Sequence, residues 1–179
     1  DRYGSLWVAS RGDYDAIPAR IYELYGGSVA DSLDVPATDM AFRGDSLLFL
    51  HAGGCGLYDL RHRRLVSQQM LRLPASQRIE TPYGLLVDDS DGRIYVMDAT
   101  NYVSSGKLFC FDAQGNWLWT RLTGDIPAHA CLVQAAPVAT EDNPSEGDRS
   151  PYILAVDEYV PAPGQFVNIL PKAEAGDDA

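Results

Sequence analysis

The sequence predicts an all-β protein, part of a β-propeller of four-stranded antiparallel blades. Three observations predict it. Residues 81–128 hold four strand-length segments separated by tight polar turns, part of that run has a second copy near the start of the chain, and no stretch shows sustained 3.6-residue amphipathicity.

Within residues 81–128 the strands are expected at 83–87, 93–97, 107–111 and 117–122. The turn signals between them are Asp91-Gly92, Ser105-Gly106 and Gln114-Gly115-Asn116. Such a meander, repeated every roughly 40 to 50 residues, is the unit of a propeller.

The other copies follow in chain order. Residues 6–14 lie on 94–102 without a gap, each running strand, polar loop, then Asp13-Tyr14 or Asn101-Tyr102. After each comes a further strand, at 20–24 in one case and 107–111 in the other, with one residue inserted in the loop. A less regular copy has strands at 40–42, 47–50 and 56–60, a short loop at 51–55 and no Asx-Tyr pair, and Arg61-His62-Arg63-Arg64 then turns the chain into 65–73. A fourth copy begins at 130–133, is interrupted by the polar run 141–148 and resumes at 152–156. Equivalent strands therefore start near Leu6, Leu47, Ile94 and Tyr152, giving about three to four blades. Both faces of a blade pack on neighbours, so so short an arc leaves apolar faces open unless it closes or further blades precede it. The start inside a blade's first hairpin favours preceding blades. The proline-rich 161–164 and acidic 174–179 mark residues 160–179 as a linker, with 1–159 the C-terminal part of the propeller.

Composition narrows the partner. The chain has 179 residues, 46% of them hydrophobic, and carries a net charge of -11, enough for a real core and wrong for binding nucleic acid or anionic lipid. No run approaches the roughly 20 apolar residues of a membrane span. Cys55, Cys110 and Cys131 have no CxxC spacing and read as buried, unpaired thiols on strands.

Residues 83–130, YGLLVDDSDGRIYVMDATNYVSSGKLFCFDAQGNWLWTRLTGDIPAHA, resemble the last full blade of the YncE-like surface β-propeller lipoproteins of gut anaerobes. That group includes a cobalamin-capturing protein. The opening LWVASRGDYDAIPARIYEL and SLDVPATDMAF fit preceding blades, and EYVPAPGQFVNILPKAEAGDD resembles the segment leading into a further domain. The resemblance implies a propeller of about seven blades, exported, anchored at the cell surface and working as a binding module. A corrinoid is the ligand class it suggests. The short loop at 51–55 departs from the longer polar connection expected there.

The candidate ligand-binding residues are Arg11, Asp13, Tyr14, Asp98, Asn101, Tyr102 and His129. The two Asx-Tyr loops should project from one face of the disc, tyrosine offering a flat ring with a polar tip and Asp or Asn fixing orientation. The bland alternative is that the Asx residues brace their own loops. His129 should lie near the central axis, yet with only His51, His62 and His129 and no close pair a metal centre is poorly supported. Asp88-Asp89-Ser90-Asp91-Gly92 lacks the closing glutamate of a calcium loop and reads as a hairpin turn, and Arg11-Gly12-Asp13 is too short a match to signify adhesion. No catalytic motif stands out and no cofactor is called for. The expected partner is a small molecule or a surface protein. The alternatives are a metal-dependent lactonase-type hydrolase, for which only Asp13, Asp98 and Asn101 could supply ligands, and a purely structural or protein-docking propeller.

Overall fold

The computed structural model describes residues 1–13 and 15–133, and the backbone of 152–156. Tyr14, the polar run 141–148 and the linker 160–179 lie outside the described residues.

Thirteen strands form four antiparallel sheets among the described residues, with no helix. The first sheet is β1 (Leu6–Ser10), β2 (Arg20–Tyr25) and β3 (Ser28–Leu33). The second runs β4 (Asp39–Arg43), β5 (Ser46–His51), β6 (Gly54–Asp59), β7 (Arg64–Ser67). The third is β8 (Pro82–Val87), β9 (Ile94–Asp98), β10 (Ser105–Phe111) and β11 (Trp117–Asp125), the meander the turn signals predict. β12 (His129–Val133) pairs with β13 (Tyr152–Val156) in the fourth. Strands β1, β5, β9 and β13 are those that begin near Leu6, Leu47, Ile94 and Tyr152.

Strand alternation explains how the sheets stack. Side chains on a strand point to opposite faces in turn. In the central strand β5, Leu47 and Phe49 pack with Trp7 and Ile21 of the first sheet, whereas Leu48 and Leu50 pack with Ile94, Val96, Phe109 and Phe111 of the third. All four β5 residues are buried because a sheet covers each face. The third sheet repeats the pattern: Ile94 and Val96 face back to the second sheet, while Tyr95 and Met97 pack with Ala130 and Leu132 of β12. Thus the first and third residues of each repeat face the preceding sheet, and the second and fourth face the following one.

Polar contacts fix the spacing between sheets. Asp39 Oδ2 accepts the Leu85 N–H at 2.7 Å, and Arg43 donates to the carbonyls of Ala113 at 2.8 Å and Gly92 at 3.2 Å, tying the second sheet to the third. Gly84 lets the third sheet approach the segment entering β12, because a Cβ there would overlap the Ala128 carbonyl. Between the first two sheets, buried Glu23 accepts from Arg63 at 2.6 Å and from the Ser5 hydroxyl at 2.7 Å, and Arg63 also reaches Asp31 at 2.8 Å.

The Arg63 hydrogen bond holds the Glu23 carboxyl below its ordinary value of 4.5, outweighing the opposing effect of burial. A carboxyl depressed in the folded state contributes stability above its unfolded value and loses it as pH falls through the folded one. The urea midpoint should therefore drop on acidification below pH 4.5, and Glu23→Gln should flatten part of that drop. Asp13, Asp31, Asp59 and Asp112 are depressed too, so some slope should remain. An unchanged slope in Glu23→Gln would contradict the assignment.

Three expectations need correction. Ser105-Gly106 is no turn but the start of β10, where the register shifts between Ser105 and Lys107 and a Cβ on Gly106 would overlap Pro127. The stretch after Arg64 is a strand only to Ser67; Arg72 then crosses to Asn116 in the third sheet by an isolated parallel bridge. Cys55 and Cys110 are free and buried, but Cys131 is exposed because it alternates with Ala130 and Leu132, which face the third sheet. Burial pushes the Cys55 thiol up to about 12 and the Cys110 thiol up to about 11, so neither is a nucleophile at neutral pH. In the turn at 88–92, Asp88 Oδ1 accepts from the Ser90 N–H and hydroxyl at 2.8 and 2.6 Å, and Gly92 takes φ +77°, the left-handed conformation of a hairpin turn.

Candidate functional site

The equivalent strands β1, β5 and β9 each end in a loop that returns as the next strand, so these loops emerge at one end of the stack. The loops are residues 11–19, 52–53 and 99–104. Their entry is built alike. The last residue of the strand, Ser10, His51 or Asp98, accepts the N–H two residues on: Gly12 at 3.2 Å, Gly53 at 3.1 Å, Thr100 at 3.0 Å. In the first and third sheets the likeness continues, for Gly12 has φ +70° and its counterpart Thr100 has φ +53°. Asp13 and its counterpart Asn101 then brace the loop. Asp13 Oδ1 accepts the N–H groups of Asp15 and Ile17 at 3.0 and 2.7 Å, and Asn101 Oδ1 those of Val103 and Ser104 at 3.0 and 2.8 Å. These backbone donors also hold the Asp13 carboxyl below its ordinary range.

Asp98 is fully buried, its carboxylate turned to backbone donors. Its Oδ1 accepts from Thr81 at 2.7 Å and from Thr100, and its Oδ2 from Glu80 at 3.1 Å. The Thr81 hydroxyl donates in turn to the Thr100 carbonyl, and Ala99 donates to the Thr81 carbonyl at 3.0 Å. The strand entering the third sheet and the 99–104 loop are thus one braced unit.

What this unit holds outward is aromatic and apolar. Tyr102 is 50% exposed with φ +63°, and Val103 is 80% exposed. Two non-glycine residues in the left-handed region within one short loop, one of them the β-branched Thr100, are unfavourable backbone states that persist only where surroundings fix them. Here Asp98 and Asn101 do so. Tyr102 meets Tyr83 edge to face, ring centroids 5.7 Å apart and planes at 83°. The Glu80–Lys107 ion pair, 3.4 Å, flanks this corner of the fold. Tyr83, Glu80 and Lys107 are the members the sequence did not flag, because their approach to the loop depends on strand register.

His129 is exposed at the start of β12, opposite Val156, and so lies at the same end of the stack as these loops. Neither His129 nor Arg11, also exposed, makes a side-chain hydrogen bond among the described residues. No cluster of three or more His, Cys, Asp or Glu side chains suited to a metal occurs among the described residues. Of the possible ligands of a lactonase-type centre, Asp98 accepts backbone N–H groups through both carboxylate oxygens, and Asp13 and Asn101 through Oδ1. A separate cleft of about 240 Å³ at the opposite end is lined by Tyr3, Trp7, Glu23, Leu60, Arg61 and Arg63. Its volume is below that of ordinary small-molecule sites, and two of its charged groups, Glu23 and Arg63, are paired with each other.

No protein-family model and no curated protein matches this chain.

Proposed function

We propose that the four sheets are successive blades of a larger β-propeller of about seven blades and that the protein is a non-catalytic binding module. In this reading it is exported, works at the cell surface and captures a small molecule or a surface partner through the loops at one mouth. The observation that carries it is the 99–104 loop: its polar side chains are consumed in bracing, its backbone is held in unfavourable conformations, and what it presents is Tyr102, Val103 and the edge of Tyr83. A rigid aromatic corner loses little conformational entropy on binding a flat or apolar ligand surface. Arg11, Tyr14 and His129 are the further contacts assigned to this mouth, and corrinoids are the ligand class, by the resemblance described above.

Cobalamin is the first probe, followed by thermal shift and by titration monitored through tyrosine and tryptophan fluorescence. Binding should weaken on Tyr102→Ala by about 1 to 2 kcal/mol, roughly five- to thirtyfold in Kd, and Tyr102→Phe should retain most of it. The combined Tyr14→Ala and Tyr102→Ala variant should bind more weakly still. Affinity that is unchanged in the double variant refutes this site. Stoichiometric calcium or zinc in the purified protein together with lactone hydrolysis would replace the reading with the hydrolase alternative.

A further inference from the structure

The loop-entry position that is Ser10 in the first sheet and Asp98 in the third is a histidine, His51, in the second. All three side chains accept the N–H two residues on. Only the imidazole is of a kind that ordinarily changes charge between about pH 5 and 8.

Both ring nitrogens of His51 are engaged, and their partners are opposite in kind. Nδ1 accepts the Gly53 N–H at 3.1 Å, whereas Nε2 lies 2.8 Å from the Gln68 carbonyl, which can only accept. The ring is therefore neutral, with its proton on Nε2. One nitrogen holds the turn at 52–53 and the other holds the connection that follows β7. The fit is close, for a Cβ on Gly53 would stand 3.1 to 3.2 Å from the ring. Gln69 braces the same hairpin, its Nε2 donating to the Gly53 carbonyl and its Oε1 accepting from Cys55, each at 3.1 Å. His51 is half-buried and Gly53 exposed, so water and protons reach the ring.

The charged groups that neighbouring elements bring to this end of the stack are engaged with other partners. Asp39 of β4 accepts from Met40 at 2.8 Å and from Leu85 at 2.7 Å. Arg20 of the first sheet pairs with Asp34 at 3.5 Å, and Glu80, after β7, pairs with Lys107 at 3.4 Å. Among the described residues no charged side chain forms an ion pair or hydrogen bond with His51.

We propose that His51 is a pH-sensitive latch: protonation at Nδ1 releases the 52–53 turn, while Nε2 keeps its hold on the connection after β7. An added proton on Nδ1 faces the Gly53 N–H and turns a hydrogen bond into a contact between two donors. The cap is thus present while the ring is neutral and is lost as pH falls through the titration of His51. Acidification loosens a loop at the end of the stack where residues 11–19 and 99–104 also emerge, at a pH above that at which the carboxyl groups titrate.

Nitrogen-15 spectra of the imidazoles and amides of the 179-residue chain, recorded without ligand from about pH 8 to 5.5, test the latch. His62 and His129, the other two histidines, give separate ring resonances. At the alkaline end His51 should show the Nε2–H tautomer. As it is protonated, the Gly53 amide resonance should move with the same midpoint. Its protection from exchange, corrected for the intrinsic pH dependence, should fall roughly five- to tenfold, the worth of one hydrogen bond. His51→Asn supplies an acceptor that does not titrate, so in this variant the Gly53 amide should hold its position across the range. An Nδ1–H tautomer in the parent, a Gly53 amide indifferent to the charge on His51, or an equal Gly53 response in His51→Asn overturns the latch. The first two outcomes are read in the parent chain and do not depend on how the variant folds.

Discussion

Asp98→Ala is expected to destabilise the protein by about 3 to 5 kcal/mol, a large share of the total stability of a domain this size. The side chain is fully buried and accepts three backbone N–H groups, from Glu80, Thr81 and Thr100. Truncation leaves those donors without the charged acceptor and leaves a void at the junction of β8 and β9. Asp98→Asn keeps one acceptor oxygen but puts an amide where the other was, and should cost roughly half as much. Urea unfolding followed by tryptophan fluorescence reads both. The 99–104 loop should also loosen, so hydrogen exchange at Thr100 and Tyr102 should rise in Asp98→Ala even under conditions where the core stays protected. A loss of stability below about 1 kcal/mol would show that the carboxylate is not the brace its hydrogen bonds describe.

Phe49→Ala is the second substitution with a large expected cost, about 3 to 5 kcal/mol. Phe49 is 1% exposed at the contact of the first and second sheets. Its ring lies over Gly56 on the neighbouring strand, where any Cβ would overlap the ring atoms, and 5.8 Å from the His51 ring. Removing the ring opens a cavity that the flanking strands cannot close without breaking register. Phe49→Leu keeps most of the apolar volume and should recover more than half of the loss. Val8 holds the same repeat position but is 38% exposed, so Val8→Ala in dilute solution should cost no more than about 0.5 kcal/mol. Equal costs at Phe49 and Val8 would contradict the stacking described for the sheets.

The all-β class, the complete meander of the third sheet and the four equivalent strands were legible because they rest on local signals. Alternation of apolar residues and the glycine-bearing turns are properties of neighbouring positions. Ser105-Gly106 misled for an instructive reason. The same dipeptide that ends strands elsewhere is needed here within a strand, where Gly106 gives room to Pro127 of the next connection. That contact is distant in sequence.

The candidate site was half legible. The gapless match of residues 6–14 with 94–102 identified two loops as alike, and the structure extends that likeness to backbone conformation and to the bracing hydrogen bonds. What the match left open was direction. Asp13 and Asn101 each turn Oδ1 onto their own loops, Asp98 is buried, and Tyr102 is outward against Tyr83.

By itself, then, the sequence determined which segments form strands, most of the turns between them and which residues share a face, because a period of two is written in adjacent residues. Only the tertiary structure decided which faces are covered and which polar groups are consumed. Leu6 and Leu47 are alike in type and in repeat position, yet one is 62% exposed and the other fully buried. The difference lies in whether a neighbouring sheet is there to exclude water, and no local pattern encodes that.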